Sequence, residues 1–169
     1  MKNTRDITLG AMLAALYVLL TVLQSQLFPG SASNAIQFRI AEALCVFALF
    51  TPSAIYGLSL GCLLSNLLLS TALPLDFLIG AAATALSTLL MYRLRNVRLW
   101  RLPLLSLLMP AVFNGLFVGW ELTIFIDGLP FGLNLLYVVA GELAVLLSLG
   151  TALFFLLDSK KLKNRLFGR

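Results

Sequence analysis

The sequence predicts an all-α membrane protein, a bundle of six transmembrane helices with both termini in the cytoplasm. Three observations lead there. Of the 169 residues, 60% are hydrophobic and 11% are charged, against about 25% charged in soluble domains. The mean hydropathy is +0.99, more apolar surface than so short a chain can hide in water. The apolar residues also fall in long runs without the period-two alternation of a barrel. In lipid such runs satisfy their own backbone groups as helices.

The runs are, in order, 7–28, 38–51, 54–70, 75–92, 102–123 and 131–157, and they form one transmembrane domain. The opening MKNTRDITLGAMLAALYVLLTVL has the outline of a secretory leader. Its apolar run is about 22 residues and no small-residue cleavage pattern ends it, so a retained span is expected. This first segment carries small residues four apart, Gly10 with Ala14 and Ala11 with Ala15, a spacing that lets another helix approach closely. Gly57 with Gly61 and Gly115 with Gly119 repeat the spacing and are expected to be internal contacts.

The stretch Ile40–Leu69 is interrupted by Thr51-Pro52-Ser53 and reads either as one kinked helix or as two segments. Charge parity decides. Eleven of the twelve basic residues fall in three clusters: Lys2 and Arg5; Arg93, Arg95, Arg98 and Arg101; Lys160, Lys161, Lys163, Arg165 and Arg169. The positive-inside rule places all three in the cytoplasm, so the chain crosses an even number of times between clusters. Splitting at Pro52 supplies the even number. The break DGLPFG, Asp127–Gly132, makes two crossings of the last stretch.

The twelfth basic residue, Arg39, is left on the outer side beside PGSASNAIQ, Pro29–Gln37. The same topology gives the outer part five acids, Glu42, Asp76, Glu121, Asp127 and Glu142, against that single arginine, which suits a cationic or donor-rich ligand. Arg39 and Glu42 are three apart and can meet on one helix face. In the fourth segment Asp76, Gly80, Ala83 and Ser87 form a small or polar stripe, and Asn66 lies in the third. In the fifth, Asn114 and Glu121 are seven apart and share a face. Phe113, Phe117 and Trp120 flank them, either as belt residues or as a stacking wall for a flat ring. Glu142 falls close to mid-membrane, where no flank allows easy snorkelling. Ionisable residues in spans usually face a bundle interior or wet cavity, so a shared cavity is expected. The competing reading makes Asp127, Asp76 and Glu121 interface residues and Arg39–Glu42 a structural ion pair. Asn66 and Asn114 can equally serve interhelical hydrogen bonding.

Several classes are excluded or disfavoured. The chain has no histidine, which removes His-based metal sites, Ser-His triads and His proton relays. Cys45 and Cys62 lie in apolar runs and read as buried thiols. The net charge of +5 sits beside membrane segments and does not imply nucleic acid. An intramembrane enzyme using Glu42 and Glu142 lacks supporting ligands or a base. No catalytic residue, metal or cofactor is expected.

The segments QFRIAEAL (Gln37–Leu44), GLSLGCLLSNL (Gly57–Leu67), PAVFNGLFVGWE (Pro110–Glu121) and GELAVLLSLG (Gly141–Gly150) resemble those of the QueT family. That family comprises substrate-binding S components of energy-coupling factor (ECF) transporters. The resemblance covers nearly the whole chain in order. It implies a multi-pass protein of the cell membrane that captures a small molecule from outside. A transmembrane coupling subunit and two ATPase subunits would be its partners and would use the ATP. The chain agrees in having no phosphate-binding loop of its own. The family's alanine motif matches Ala11 and Ala15, so the face carrying Gly10, Ala11, Ala14 and Ala15 is expected to dock on the coupling subunit. The resemblance also implies queuosine precursors, chiefly aminomethyl-deazaguanine and related bases. Glu142 or Glu121 would then accept the base edge with Asn114 assisting, and Asp76 or Glu42 would meet the amine. An aromatic of the fifth segment, Phe117 or Trp120, would stack, and Arg39 would meet the ring carbonyl or neutralise Glu42. Two alternatives stay open: the same machinery carrying cobalamin or another vitamin, and a stand-alone cation-coupled carrier. The latter predicts uptake without an ATPase and an internal repeat, and no convincing repeat is present.

Overall fold

The computed structural model describes residues 4–29, 31, 37–69, 75–99, 102–125 and 128–167. Asp127, Arg101, Lys2 and Arg169 lie outside them. The order is α1 (Thr4–Leu27), a 3-10 helix (Ile40–Leu49), α2 (Ser53–Leu68), α3 (Asp76–Leu94), α4 (Leu104–Leu107) and α5 (Met109–Phe125). It continues through α6 (Phe131–Val145), a π turn (Leu146–Gly150), α7 (Thr151–Asp158) and α8 (Lys160–Phe167). No strand occurs among the described residues.

Four helical stretches are long and apolar enough to cross a membrane: Thr4–Leu27, Asp76–Leu94, Leu104–Phe125 and Phe131–Asp158. Ile40–Leu49 and Ser53–Leu68 are shorter apolar helices. The former holds 10 residues. At the 3-10 rise of about 2.0 Å it reaches roughly 20 Å, where an α-helix would reach about 15 Å.

Prolines and one glycine set the breaks. Pro52 sits at the N-cap of α2. The chain reverses there, because Arg39 at the start of the 3-10 helix comes back to Cys62, two turns into α2, at 3.5 Å. Pro110 in the first turn of α5 lacks an N–H and would clash with a carbonyl of a continuous preceding helix, which separates α4 from α5 at Leu108. Between α5 and α6, Gly128 adopts φ +128°, a value open to glycine alone at little cost, and Pro130 caps α6.

The helices pack α1 on α2, α2 on α3, α3 on α5 and α5 on α6, with the 3-10 helix enclosed among α1, α2, α3 and α6. Eight of its ten residues are buried. The main apolar core surrounds its C-terminal half: Val46, Ala48 and Leu49 meet Leu58 of α2, Met91 of α3 and Phe154 of α7. The outside is aliphatic. On α1, Met12, Leu16, Leu19 and Leu23 form an exposed stripe at the spacing of one helix face.

The bundle has two chemically different ends. Thr4 and Phe167 share one of them, where the Arg5 guanidinium donates to the Leu166 carbonyl at 2.9 Å and Phe167 stacks on Phe50, centroids 5.3 Å apart. Arg98 pairs there with Asp158 at 3.5 Å. Gln24, Gln37, Arg39, Glu121 and Asn134 lie buried toward the other end, where α3 and α6 begin and α1, α2 and α5 finish.

Candidate functional site

The site starts from a backbone feature. Arg39 precedes the 3-10 helix with φ −92° and ψ 87°, so it does not share a helix face with Glu42, and the two form no ion pair. That corrects the expectation from their spacing of three, which assumed a helix already begun at Arg39. The arginine side chain is 7% exposed and runs between α2 and α3. Its Nη2 lies 3.5 Å from Cys62 Sγ. A Cβ on Gly80 would sit 3.6 Å from Nη2 and 2.7 Å from the Asn66 amide, so the bare glycine makes room for both.

Glu42 is fully buried and its oxygens are occupied. Tyr17 Oη donates to Oε1 at 2.7 Å and Thr84 Oγ1 at 3.3 Å, while Cys45 Sγ donates to Oε2 at 3.0 Å. The Cys45 contact follows from 3-10 geometry, in which residues three apart eclipse. A carboxylate so supplied has little left for a ligand, so the expectation that Glu42 meets an amine is not supported by its surroundings.

The remaining acids differ. Glu142 on α6 and Asn114 on α5 are buried and joined, Asn114 Nδ2 donating to Glu142 Oε1 at 2.9 Å. Glu142 Oε2, Asn114 Oδ1 and both oxygens of Glu121 are buried without a hydrogen-bond partner. Native proteins pair nearly all such atoms, and an unpaired buried acceptor costs about 1–3 kcal/mol, more if charged. Four of them on two adjacent helices make the most donor-hungry region of the molecule. The charges of Asp76 and Arg39 act on Glu121. Glu142 has Glu42 and Arg39 as its charged neighbours. Arg39 is therefore the cation common to both acids.

Close backbone approach assembles these pieces. Gly141, next to Glu142, abuts the backbone of Gln37, two residues before Arg39, where any Cβ would collide. Gly115 receives the Val139 side chain, and a Cβ on Gly119 would come within 3.0 Å of Leu135 Cα. These contacts seat α6 on α5 so that Asn114 reaches Glu142. Above them Asn134 donates to Thr123 Oγ1 at 3.0 Å and to the Leu129 carbonyl at 3.3 Å.

Other expected site residues are placed elsewhere. Asp76 is half-buried, and its carbonyl accepts from Asn66 Nδ2 at 3.0 Å, so Asn66 ties α2 to α3. Phe117 is half-buried and tilted against Phe113, centroids 6.2 Å apart. Trp120 is 53% exposed, in line with Leu116 and Ile124. It sits on the aliphatic outer face and does not join the cluster. The small residues of α1 divide as well. Gly10 and Ala14 are buried against α2, where a Cβ on Gly57 would come within 2.9 Å of Gly10 Cα and one on Gly61 within 2.9 Å of the Ala14 carbonyl. They serve the α1–α2 contact, so they correct the expected docking face, while Ala11 and Ala15 remain exposed. The reason is angular: successive helical residues are about 100° apart, so two neighbouring four-residue pairs point different ways.

Sequence reasoning missed Tyr17, Thr84, Gln24 and Asn134. Tyr17 had a signal, since it continues the Gly10–Ala14 face at the next turn. Gln24 was a polar residue in an apolar run. Its amide donates to the Phe38 carbonyl and to Ser31 Oγ, and its Oε1 accepts the Ile40 amide at 2.9 Å. It thereby satisfies the first N–H of the 3-10 helix. Cys45 and Cys62 are free and buried. No group of three or more His, Cys, Asp or Glu among the described residues is arranged to hold a metal.

An aliphatic exterior, a buried polar centre and several helices of membrane-crossing length define a membrane-type helical bundle. The chain belongs to the QueT transporter family, whose model, described as "QueT transporter", matches residues 7–159. It is similar to a curated relative, the "Queuosine precursor transporter QueT" of Lactococcus lactis subsp. cremoris, with 34% identity over 106 residues. That alignment covers 59% of this chain, and the chain spans 59% of the relative's length. No solved structure matches the chain significantly.

Proposed function

We propose that this chain is the substrate-binding S component of an ECF-type importer and captures a queuosine precursor of the deazaguanine type. The carrying observation is the set of four buried, unpartnered acceptor atoms on Asn114, Glu121 and Glu142. A deazaguanine edge presents adjacent N–H donors, which a carboxylate accepts in pairs. Glu142, oriented by Asn114, is the acceptor for that edge. With Glu42 engaged by Tyr17, Thr84 and Cys45, the acids left for a cationic aminomethyl group are Glu121 and Asp76 beside the start of α3. Arg39 meets the ring carbonyl, and Phe117, half-buried on α5, is the stacking aromatic. Family membership and the relative's name support this reading.

In the same reading the six apolar segments all cross the membrane. Both termini lie in the cytoplasm with the basic clusters, and the site opens to the outside. The energy comes from ATP hydrolysed by partner ATPases and transmitted by a coupling subunit that docks on the exposed Ala11 and Ala15 of α1. The chain itself is not an enzyme. Native mass spectrometry of the purified chain tests the ligand directly. A co-purifying deazaguanine base supports the assignment; a corrinoid or other vitamin in its place overturns it.

A further inference from the structure

Tyr17 is, among the described residues, the largest fully buried side chain and the α1 residue that donates to an acid of the polar centre. It emerges from a close part of the α1–α2 contact, where a Cβ on Gly61 would lie 2.7 Å from Tyr17 Cβ. Its ring therefore has little freedom to swing. Its hydroxyl meets Glu42 Oε1 at 2.7 Å, the shortest of the three bonds to that carboxylate. The Thr84 hydroxyl shares its single proton between Oε1 at 3.3 Å and the Gly80 carbonyl, closer at 2.9 Å, one turn earlier on α3. Gly80 in turn borders the Arg39 guanidinium. The Glu42 charge thus acts on the cation that its own segment supplies three residues earlier, yet the two form no ion pair.

We propose that Tyr17 is a positioning residue that keeps Glu42 turned toward α1 and so keeps Arg39 unneutralised for the ligand. Without the phenol, the carboxylate loses its best donor in a place closed to water. The nearest strong replacement is the Arg39 guanidinium, because a charge-assisted pair outcompetes a thiol and a long hydroxyl bond. Arg39 then leaves Cys62, pairs with Glu42 and no longer offers its charge to the Glu121–Glu142 region. This inference rests on the ligand-binding reading above for its functional consequence, but not for the side-chain rearrangement itself.

The test uses Y17F, E42Q and the double variant in the full chain, reconstituted in nanodiscs. Titration with 7-aminomethyl-7-deazaguanine reads affinity, thermal melting reads folding, and a structure of Y17F reads the position of Arg39. Y17F is expected to weaken binding at least tenfold, E42Q to stay within about threefold, and the double variant to recover most of the Y17F loss. The recovery is the discriminating result, since no charge then remains at position 42 to capture the arginine. A purely structural tyrosine predicts that the two losses add. Additive losses, or a Y17F structure with Arg39 still on Cys62, overturn the proposal. Should the unmodified chain not bind this base while the Y17F structure shows Arg39 on Glu42, the ligand assignment falls and the positioning role stands.

Discussion

The replacement of Glu142 by glutamine moves affinity and stability in opposite directions. In the free protein Glu142 Oε2 and Asn114 Oδ1 are both buried acceptors facing no donor. E142Q replaces the buried carboxyl group with an amide whose N–H₂ group can donate to Asn114 Oδ1 once the two amides turn to match. Relieving one such unpaired atom is worth about 1–3 kcal/mol. That corresponds to a melting rise of roughly 2–4 °C per kcal/mol for a chain of this size. Ligand binding goes the other way. The variant presents an N–H₂ group where a donor edge needs an acceptor, and the loss of a carboxylate acceptor for that edge is worth about 1.5–3 kcal/mol, or roughly 10- to 150-fold in Kd. Thermal melting of the ligand-free protein in detergent and calorimetric titration with the deazaguanine base read the two effects separately. Unchanged affinity removes Glu142 from the site. A variant that binds weakly because it melts lower shows that Glu142 serves folding instead.

Further outcomes can be checked alongside. G141A drives a methyl group into the Gln37 backbone, whose carbonyl carbon would lie 2.7 Å away. It is expected to lower stability by about 1–3 kcal/mol and to weaken binding by displacing the Arg39 segment; normal melting would mean the contact is loose. A11W combined with A15W enlarges two exposed residues and should abolish uptake in whole cells while leaving ligand binding by the purified chain intact. Retained uptake argues against docking through this face. R98A breaks the Arg98–Asp158 pair, whose side chains are 42% and 27% exposed. The stability change is expected to be about 1 kcal/mol or less, and a larger fall would mean that Arg98's position over Phe154 matters more than its charge.

The helical architecture and its segmentation were legible because they follow from local properties. The break before Pro110, inside the run 102–123, appeared only in the structure, but continuous apolar runs, the breaks at Pro52 and at Asp127–Gly132, and the polar residues interrupting apolar stretches are all read along the chain without knowing what packs where. So were the residues of the polar centre: Arg39, Asn114, Glu121 and Glu142 stand out because burying them is costly wherever they go. Their use was not legible, because it depends on which donors arrive from distant segments. Glu42 and Glu142 look alike in sequence, each an acid in an apolar run. Only the packing of α1 and α3 against the 3-10 helix adds Tyr17 and Thr84 to the Cys45 contact that Glu42 has within its own helix, while α5 gives Glu142 one donor.

The same limit explains the α1 face and Trp120. Small-residue spacing says that something comes close but not which of two adjacent pairs it meets. Gly57 and Gly61 select Gly10 and Ala14, leaving Ala11 and Ala15 outside. An aromatic beside an acid in sequence is about 100° away around a helix, which turned Trp120 outward and Glu121 inward. Composition and patterning thus determined that the chain folds as apolar helices around a few costly polar groups, since solvent preference acts residue by residue. Tertiary packing alone decided which of those groups are satisfied within the protein and which still have hydrogen bonds to offer, because pairing needs partners that the sequence keeps far apart.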